Sequence, residues 1–330
     1  MTFLRPTLKD VAKLSGVSEI SVSRVMRNAP NISSRLRNKV EAAALELHYT
    51  PNKIAGALAS NTTDLIGVVV PTLKNIEYTQ ILSGIESVLG QSKYRMMLGI
   101  SDFSEQRETK IVRDFLAWNP SGIIMAGGSH SDDVSQLLER SKASFVEIIN
   151  DERSSMNFGL GISYDKAAAD LVSYWLKQGH NRVTYVGTSN EQFFPGSFKS
   201  ALFKRLRDAG INLAYQLETD ELTSITLGMK ICSEIVQQAP RVDAVFFEDG
   251  NLAVGASFYC SMMAPDAIAI ASFNNSPHID DSRAVIDLIN IPFHSIGVDA
   301  AKFFFNSSNI DASVNSKRTI LPAEFIKSAY

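Results

Sequence analysis

Two cysteines in 330 residues are too few for a disulfide framework. Cys232 and Cys260 both sit in apolar stretches and read as small buried hydrophobes. No run of eighteen apolar residues exists, which excludes a membrane-spanning helix. The N-terminus is polar from Arg5 onward and has no apolar secretory segment, so a cytoplasmic protein is expected. No Gly-x-x-x-x-Gly-Lys phosphate loop is present, no Gly-x-Gly-x-x-Gly follows a strand, and there is no Gly-x-Ser-x-Gly elbow. The five histidines are scattered without metal-ligand spacing, and His130 stands between two serines in a polar loop. These absences argue against an enzyme and against a resident cofactor or metal.

What is present begins with a charge asymmetry. Residues 1–60 hold nine Lys/Arg against four acids, a net +5, while the remainder holds 23 against 31, a net −8. A basic head on an acidic body suits a protein that sets only its head on phosphate. A length of 330 residues exceeds the usual single core, so two or three folding units are expected.

The head reads as three short helices. Thr7 precedes an apolar-periodic run and has Asp10 three places on, the pattern of an N-cap with an acid in the first turn. Leu8, Val11 and Ala12 share one face, and Gly16 suits a left-handed turn. Ser18 can cap a second helix whose Val22, Val25 and Met26 point inward, leaving Glu19, Ile20, Ser21 and Arg24 outside. A third helix from about Ser33 to Tyr49 buries Leu36, Val40, Ala43, Ala44 and Leu47. This is a helix-turn-helix, whose second helix enters a major groove by its N-terminal end. Arg24 suits a guanine edge, Glu19 a cytosine amine and Ile20 a thymine methyl. Asn31, Ser33, Arg35 and Lys39 are placed for phosphates.

The stretch resembles the lactose-repressor/galactose-repressor family of bacterial transcription factors. The resemblance rests on Leu8-Lys-Asp-Val-Ala12, Gly16-Val-Ser18, Val22-Ser-Arg24, Val40-Glu-Ala-Ala43 and Leu47-His-Tyr-Thr-Pro-Asn52. It implies a hinge over 51–63, helical only on operator DNA, with Asn52, Ala55 and Leu58 at the minor groove and Leu58 as the wedge that kinks the duplex. Gly56 and the shortness of the segment agree with a helix that does not stand alone.

From Asp64 the pattern changes to short apolar runs alternating with amphipathic helices. Strands are expected at 65–70, 95–100, 122–126, 144–149, 161–163, 182–186, 244–247 and 267–271. A loop is expected at 71–77, and helices near 78–92, 105–118, 132–141 and 165–178. Continuous Ile/Val runs between helices imply parallel strands covered on both faces, with ligands beyond the strand C-termini.

The resemblance covers the whole chain. It implies a helix-turn-helix domain (1–50), the hinge, and an α/β periplasmic-binding-protein-like domain (64–330) of two parallel-sheet subdomains, about 64–162 plus 291–322 and 163–290 plus 323–330. Its marks in the body are Asp165, Gly179-His180, Asp243-Ala-Val-Phe246, Leu252-Ala-Val-Gly255, Pro292 and Gly297. Ser83-Gly-Ile-Glu-Ser-Val88, Trp118-Asn119 and Val146-Glu147 look most similar to gluconate-utilisation repressors. Implied partners are pseudo-palindromic operator DNA, a small sugar, sugar-acid or sugar-phosphate effector and a second copy of the chain. No leucine heptad tail follows Tyr330, which speaks against a tail-mediated tetramer. The implied place is the cytoplasm, at the nucleoid. Repression or activation is left open, because promoter geometry sets it.

Effector candidates are the polar and aromatic residues after the strands: Asn75, Glu77, Tyr78, Asp102, His130, Glu147, Asn150, Gln192, Phe194, Asp249, Asn274 and Phe293. Amides and acids fix hydroxyls, and rings cover CH faces. Three positions depart from the family. Its sugar-gripping arginine falls near Phe194, its Asn-Asp pair reads Asp249-Gly250, and its later Asp falls at Asn274. A sugar acid calls for an arginine fork or equivalent charge, and this cleft offers only Lys74 and His130. Leu58→Ala is expected to weaken operator binding and remove the DNA bend; an unchanged bend in a circular-permutation gel assay would refute the wedge.

Overall fold

The computed structural model describes residues 6–52, 62–127, 130–141, 143–149, 158–188, 197–238, 242–263, 268–281, 285–306 and 317–328. The chain divides into two compact units, residues 1–63 and 64–330.

In the first unit, α1 (Leu8–Ser15), α2 (Glu19–Met26) and α3 (Ser34–Glu46) pack on one another. Each start is capped locally. Thr7 and Asp10 form a reciprocal capping box, Ser18 accepts from the Ser21 N–H, and Ser33 accepts from the Leu36 N–H. Gly16 ends α1 with φ +59°, the left-handed geometry in which a Cβ is unfavourable. The caps fix where the helices start. The core of Val11, Val22, Val25 and Val40, with Ala43 and Ala44, fixes how they pack. Burying each valine contributes about 1.5–3 kcal/mol.

The second unit holds two six-stranded sheets. The first runs in the order β11 (Lys317–Pro322), β5 (Phe158–Ser163), β4 (Ser144–Ile148), β3 (Pro120–Ala126), β1 (Thr63–Val70), β2 (Arg95–Ile100). Its helices include α4 (Ile76–Leu89), α5 (Glu105–Leu116) and α6 (Asp132–Arg140). The second sheet runs β12 (Glu324–Ile326), β10 (Asp287–Asn290), β9 (Ala269–Phe273), β8 (Ala244–Phe247), β6 (Arg182–Thr188), β7 (Asn212–Thr219). With it come α7 (Asp165–Lys177), α8 (Ser197–Asp208), α9 (Ile225–Gln238), α10 (Gly250–Met263) and the short α11 (His278–Asp281). Helix α12 (Phe293–Asn306) returns to the first sheet and packs on α4.

The chain crosses between sheets three times, at Tyr164, at Ile291-Pro292 and at Ala323. Each crossing leaves the C-terminal end of a strand. Two are bonded together, since the Ala323 N–H donates to the Ser163 carbonyl at 2.9 Å. The third crossing explains a detail of register. Strand β12 follows β11 with only Ala323 between, so it enters the second sheet from the C-terminal end of its strands. It therefore pairs antiparallel with β10, whereas β10 pairs parallel with β9. The strand C-termini of both sheets thus face the same junction.

Several boundaries differ from expectation. Helix α4 begins at Ile76 rather than after a loop ending at 77, which moves Glu77 and Tyr78 into its first turn. Strand β9 lies at 269–273 rather than 267–271. Strands β10, β11 and β12 were not expected, and neither was β7. Strand β7 is an edge strand with most side chains exposed, so it lacks the apolar run that marked the expected ones. The two cysteines are free and buried in the core under α9 and α10, with their sulfurs 3.6 Å apart.

Helices α4 and α12 approach closely. A Cβ on Gly84 would lie 2.1 Å from the His294 carbonyl oxygen, and one on Gly297 would lie 2.1 Å from that of Ile81. Backbone at that distance cannot yield cheaply. Gly84→Ala is expected to destabilise the chain by about 1–3 kcal/mol, read as a lower urea midpoint at unchanged slope.

Candidate functional site

Two regions carry candidate chemistry, and they lie in separate units. On α2, Glu19, Ile20 and Arg24 are exposed, Ile20 to 74%. An isoleucine that far into water on a helix with two buried valines is not a packing residue. Glu19 lies in the first turn, where an acid also suits the helix dipole. Ser21 is partly spent, its hydroxyl 2.9 Å from that of Ser18. The Arg24 guanidinium leans toward the Pro30 carbonyl at 3.5 Å, the outer limit of hydrogen bonding. Arg37 is tied to Asn28, which has φ +51°. Arg35 and Lys39 are exposed. Ser33 caps α3 through its oxygen yet keeps its O–H to donate, and Asn31 takes φ +64° in the turn before it. Asn52 is exposed; Ala55 and Leu58 lie outside the described residues.

The second region is the junction of the two sheets. Glu77, in the first turn of α4, is 3% exposed. Its carboxyl group bonds the Asn275 side chain across the junction and lies near Asp249. Burial, reinforced by the Asp249 charge and opposed by the Asn275 bond and its own backbone N–H, pushes Glu77 up to about 7. Asn275 is held from its own side. Its oxygen accepts from the Gly250 N–H at 2.8 Å, and its amide donates to the Glu248 carbonyl at 3.3 Å. Asp249 is occupied as the cap of α10, accepting from the Asn251 and Leu252 N–H groups and from the Thr223 hydroxyl. Asn274 donates to the Asn290 side chain.

His130, which the sequence shows as a lone histidine, is not alone. Its side chain is 2% exposed, with Nδ1 3.0 Å from the Glu108 carboxylate and Nε2 3.5 Å from Glu147. Burial opposes the charged ring, but the Glu108 bond and the charges of Glu108 and Glu147 outweigh it and raise its pKa. Glu248 likewise accepts from the Tyr185 hydroxyl and from the Thr188 N–H, and burial raises it. Tyr78 and Phe293 are 1% and 2% exposed and belong to the core that runs through the junction. Asp102 sits at φ +54° and pairs with Arg107 at 2.9 Å, exposed. Asn75 precedes α4 without a side-chain cap bond. Asn150, Gln192 and Phe194 lie outside the described residues.

The family model described as "Bacterial regulatory proteins, lacI family" matches residues 7–52. The HTH-type transcriptional regulator GntR of Escherichia coli K12 is 30% identical over 276 residues, 82% of each chain. That of Pseudomonas aeruginosa PAO1 is 31% identical over 306 residues, 90% of this chain and 88% of its own. The chain belongs to the LacI family of bacterial regulatory proteins. Its fold agrees: a LacI-family regulator from Silicibacter pomeroyi superposes with a TM-score of 0.82 at 29% identity, covering 98% of both chains. The lac repressor dimer bound to operator and an anti-inducer superposes with a TM-score of 0.85 at 21% identity, again over 98% of both.

In this LacI-family chain, three polar residues at the junction escaped the sequence reading: Glu108, Glu248 and Asn275. Glu108 left a trace, since it lies four residues before buried Val112 on the inward stripe of α5. Glu248 adjoins a candidate that was chosen, Asp249. Asn275 has no local signal, because its partners lie on α4 and around the start of α10.

The raised pKa of Glu77 gives a signed prediction. The folded state holds this proton more tightly than the unfolded chain, so its contribution is full below about 4.5 and is lost as pH rises through about 7. Glu77→Gln is expected to match the parent near pH 4.5 and to exceed it at pH 8, by up to about 3 kcal/mol. Thermal melts of both proteins at the two pH values check this.

Proposed function

We propose that this LacI-family chain is a sequence-specific, operator-binding repressor of carbohydrate or sugar-acid utilisation genes, acting as a homodimer under a small sugar-like effector. The observation that carries the reading is the face of α2. A capped, packed helix leaves Glu19, Ile20 and Arg24 in water, within a unit of net positive charge. That arrangement offers a donor fork, an acceptor and an apolar contact to base edges. The structural relative captured as a dimer on operator supports the partner and the stoichiometry.

Control is assigned to the junction. The effector sits where the strand C-termini meet, among Glu77, Asn274 and Asn275, and changes the spacing of the two subdomains. That spacing sets the separation of two hinge segments in a dimer, and so the hold on DNA. Coupling of about 1–3 kcal/mol is enough for useful regulation. The chain is assigned binding rather than catalysis, without cofactor, and a place in the cytoplasm. No helix among the described residues is long and apolar enough to cross a membrane.

Fluorescence anisotropy on DNA from the gene's own upstream region tests the reading. Binding should be tight and weaken with salt. Arg24→Ala should lose about 10–100-fold in preference for that DNA over scrambled DNA while keeping salt-sensitive non-specific binding. Equal discrimination by parent and variant would remove Arg24 from base reading; no preference in the parent would remove the regulator reading altogether.

A further inference from the structure

The described residues also constrain what the effector can be. The inference rests on the reading of the junction as the effector site, and it narrows that site to one ligand chemistry.

The acceptors at the junction are not equally available. Asp249 spends both oxygens on the start of α10 and on Thr223. Glu248 spends its oxygens on Tyr185 and Thr188. Asn275 has its oxygen on the Gly250 N–H, and its amide serves Glu248 and Glu77. Glu77 is different. It takes one bond from Asn275 and one from its own backbone. An ionised carboxylate offers about four acceptor sites, so it retains capacity for further donors. Its place on α4 of the first subdomain, bonded to a residue of the second, puts that capacity between the two sheets.

Among the described residues near the strand ends, His130 and Arg107 are already committed. His130 lies buried between Glu108 and Glu147, so its charge is matched before any ligand arrives. Arg107 is paired with Asp102 in solvent. Lys74 is exposed on the loop after β1. Among the described residues, no arginine or lysine is buried beside Glu77. A carboxylate or phosphate placed there would face Glu77 and Asp249 in a poorly solvated site, where like charges repel strongly.

We propose that Glu77 selects the effector, which donates a hydroxyl or ammonium hydrogen to this carboxylate and itself carries no carboxylate or phosphate. The effector is then an uncharged or amine-bearing polyol. Sugar acids and sugar phosphates are excluded, although the chain looks similar to regulators of sugar-acid utilisation. Glu77 does this by supplying an acceptor that neutral and cationic donors can use and that an anion cannot approach.

The test uses the full-length protein and isothermal titration calorimetry at pH 8, where Glu77 is ionised. The probes are the hexose, the 2-amino-2-deoxyhexose, the hexonate and the hexose 6-phosphate of the gluco, galacto and manno series. Within any series that binds, the neutral or amino member should bind at least about tenfold more tightly than its acid or phosphate. Glu77→Gln, which keeps the shape and loses the charge, should weaken an amino member about tenfold or more and narrow the gap to the acid. A hexonate or phosphate that binds the parent best would overturn the proposal while leaving the effector site in place. Neutral and amino affinities both unchanged in Glu77→Gln would remove Glu77 from selection. Binding of none of the twelve, with operator binding intact, would overturn both this proposal and the reading of the junction as a sugar site.

Discussion

Neighbouring parallel strands cannot be joined by a tight turn; the chain must return across a face of the sheet before the next strand begins. In this body that constraint organises everything else. Nearly every strand is followed by a helix or a crossing that starts at the same end of the sheet, so the loops collect there. Both sheets present that end to the junction, because all three crossings leave from it. The antiparallel pairing of β12 follows from the same geometry, since it enters its sheet from the junction side.

The same constraint concentrates buried charge. Away from the junction both faces of each sheet are covered by apolar clusters. Near the strand ends the chain instead buries Glu77, Glu108 and Glu147, and half-buries Glu248. Each is tied to a donor on another element: Asn275, His130, Tyr185 or the Thr188 N–H. Burying a carboxylate is costly unless it is bonded or neutralised. The structure meets that cost by raising the pKa of Glu77 and Glu248 and by setting His130 between two acids. Perturbed groups of this kind cluster at functional sites, and structural ion-pair networks produce them as well.

The head follows a different logic. Its core is small, and its order comes from contacts three and four residues apart. The capping box at Thr7, the left-handed Gly16 and the serine caps at Ser18 and Ser33 all act within one helical turn. The outward face of α2 is what remains after Val22 and Val25 are buried. An outward face built this way is set by local contacts and not by the fold of the body.

That difference decides what could be read in advance. The sequence by itself determined the three head helices, their caps and the exposed Glu19, Ile20 and Arg24, because the forces that place them are local. It also determined the alternation of apolar strands and helices in the body, because a buried strand needs a continuous apolar run. Strand β7 carries no such run and was invisible. The start of α4 was misplaced by two residues, which hid the fact that Glu77 lies in a helix turn facing the second subdomain. Only the tertiary structure decided the partners of Glu77, His130 and Glu248. Those contacts join residues 17 to nearly 200 positions apart, and their energy depends on burial and geometry that no short window of sequence contains.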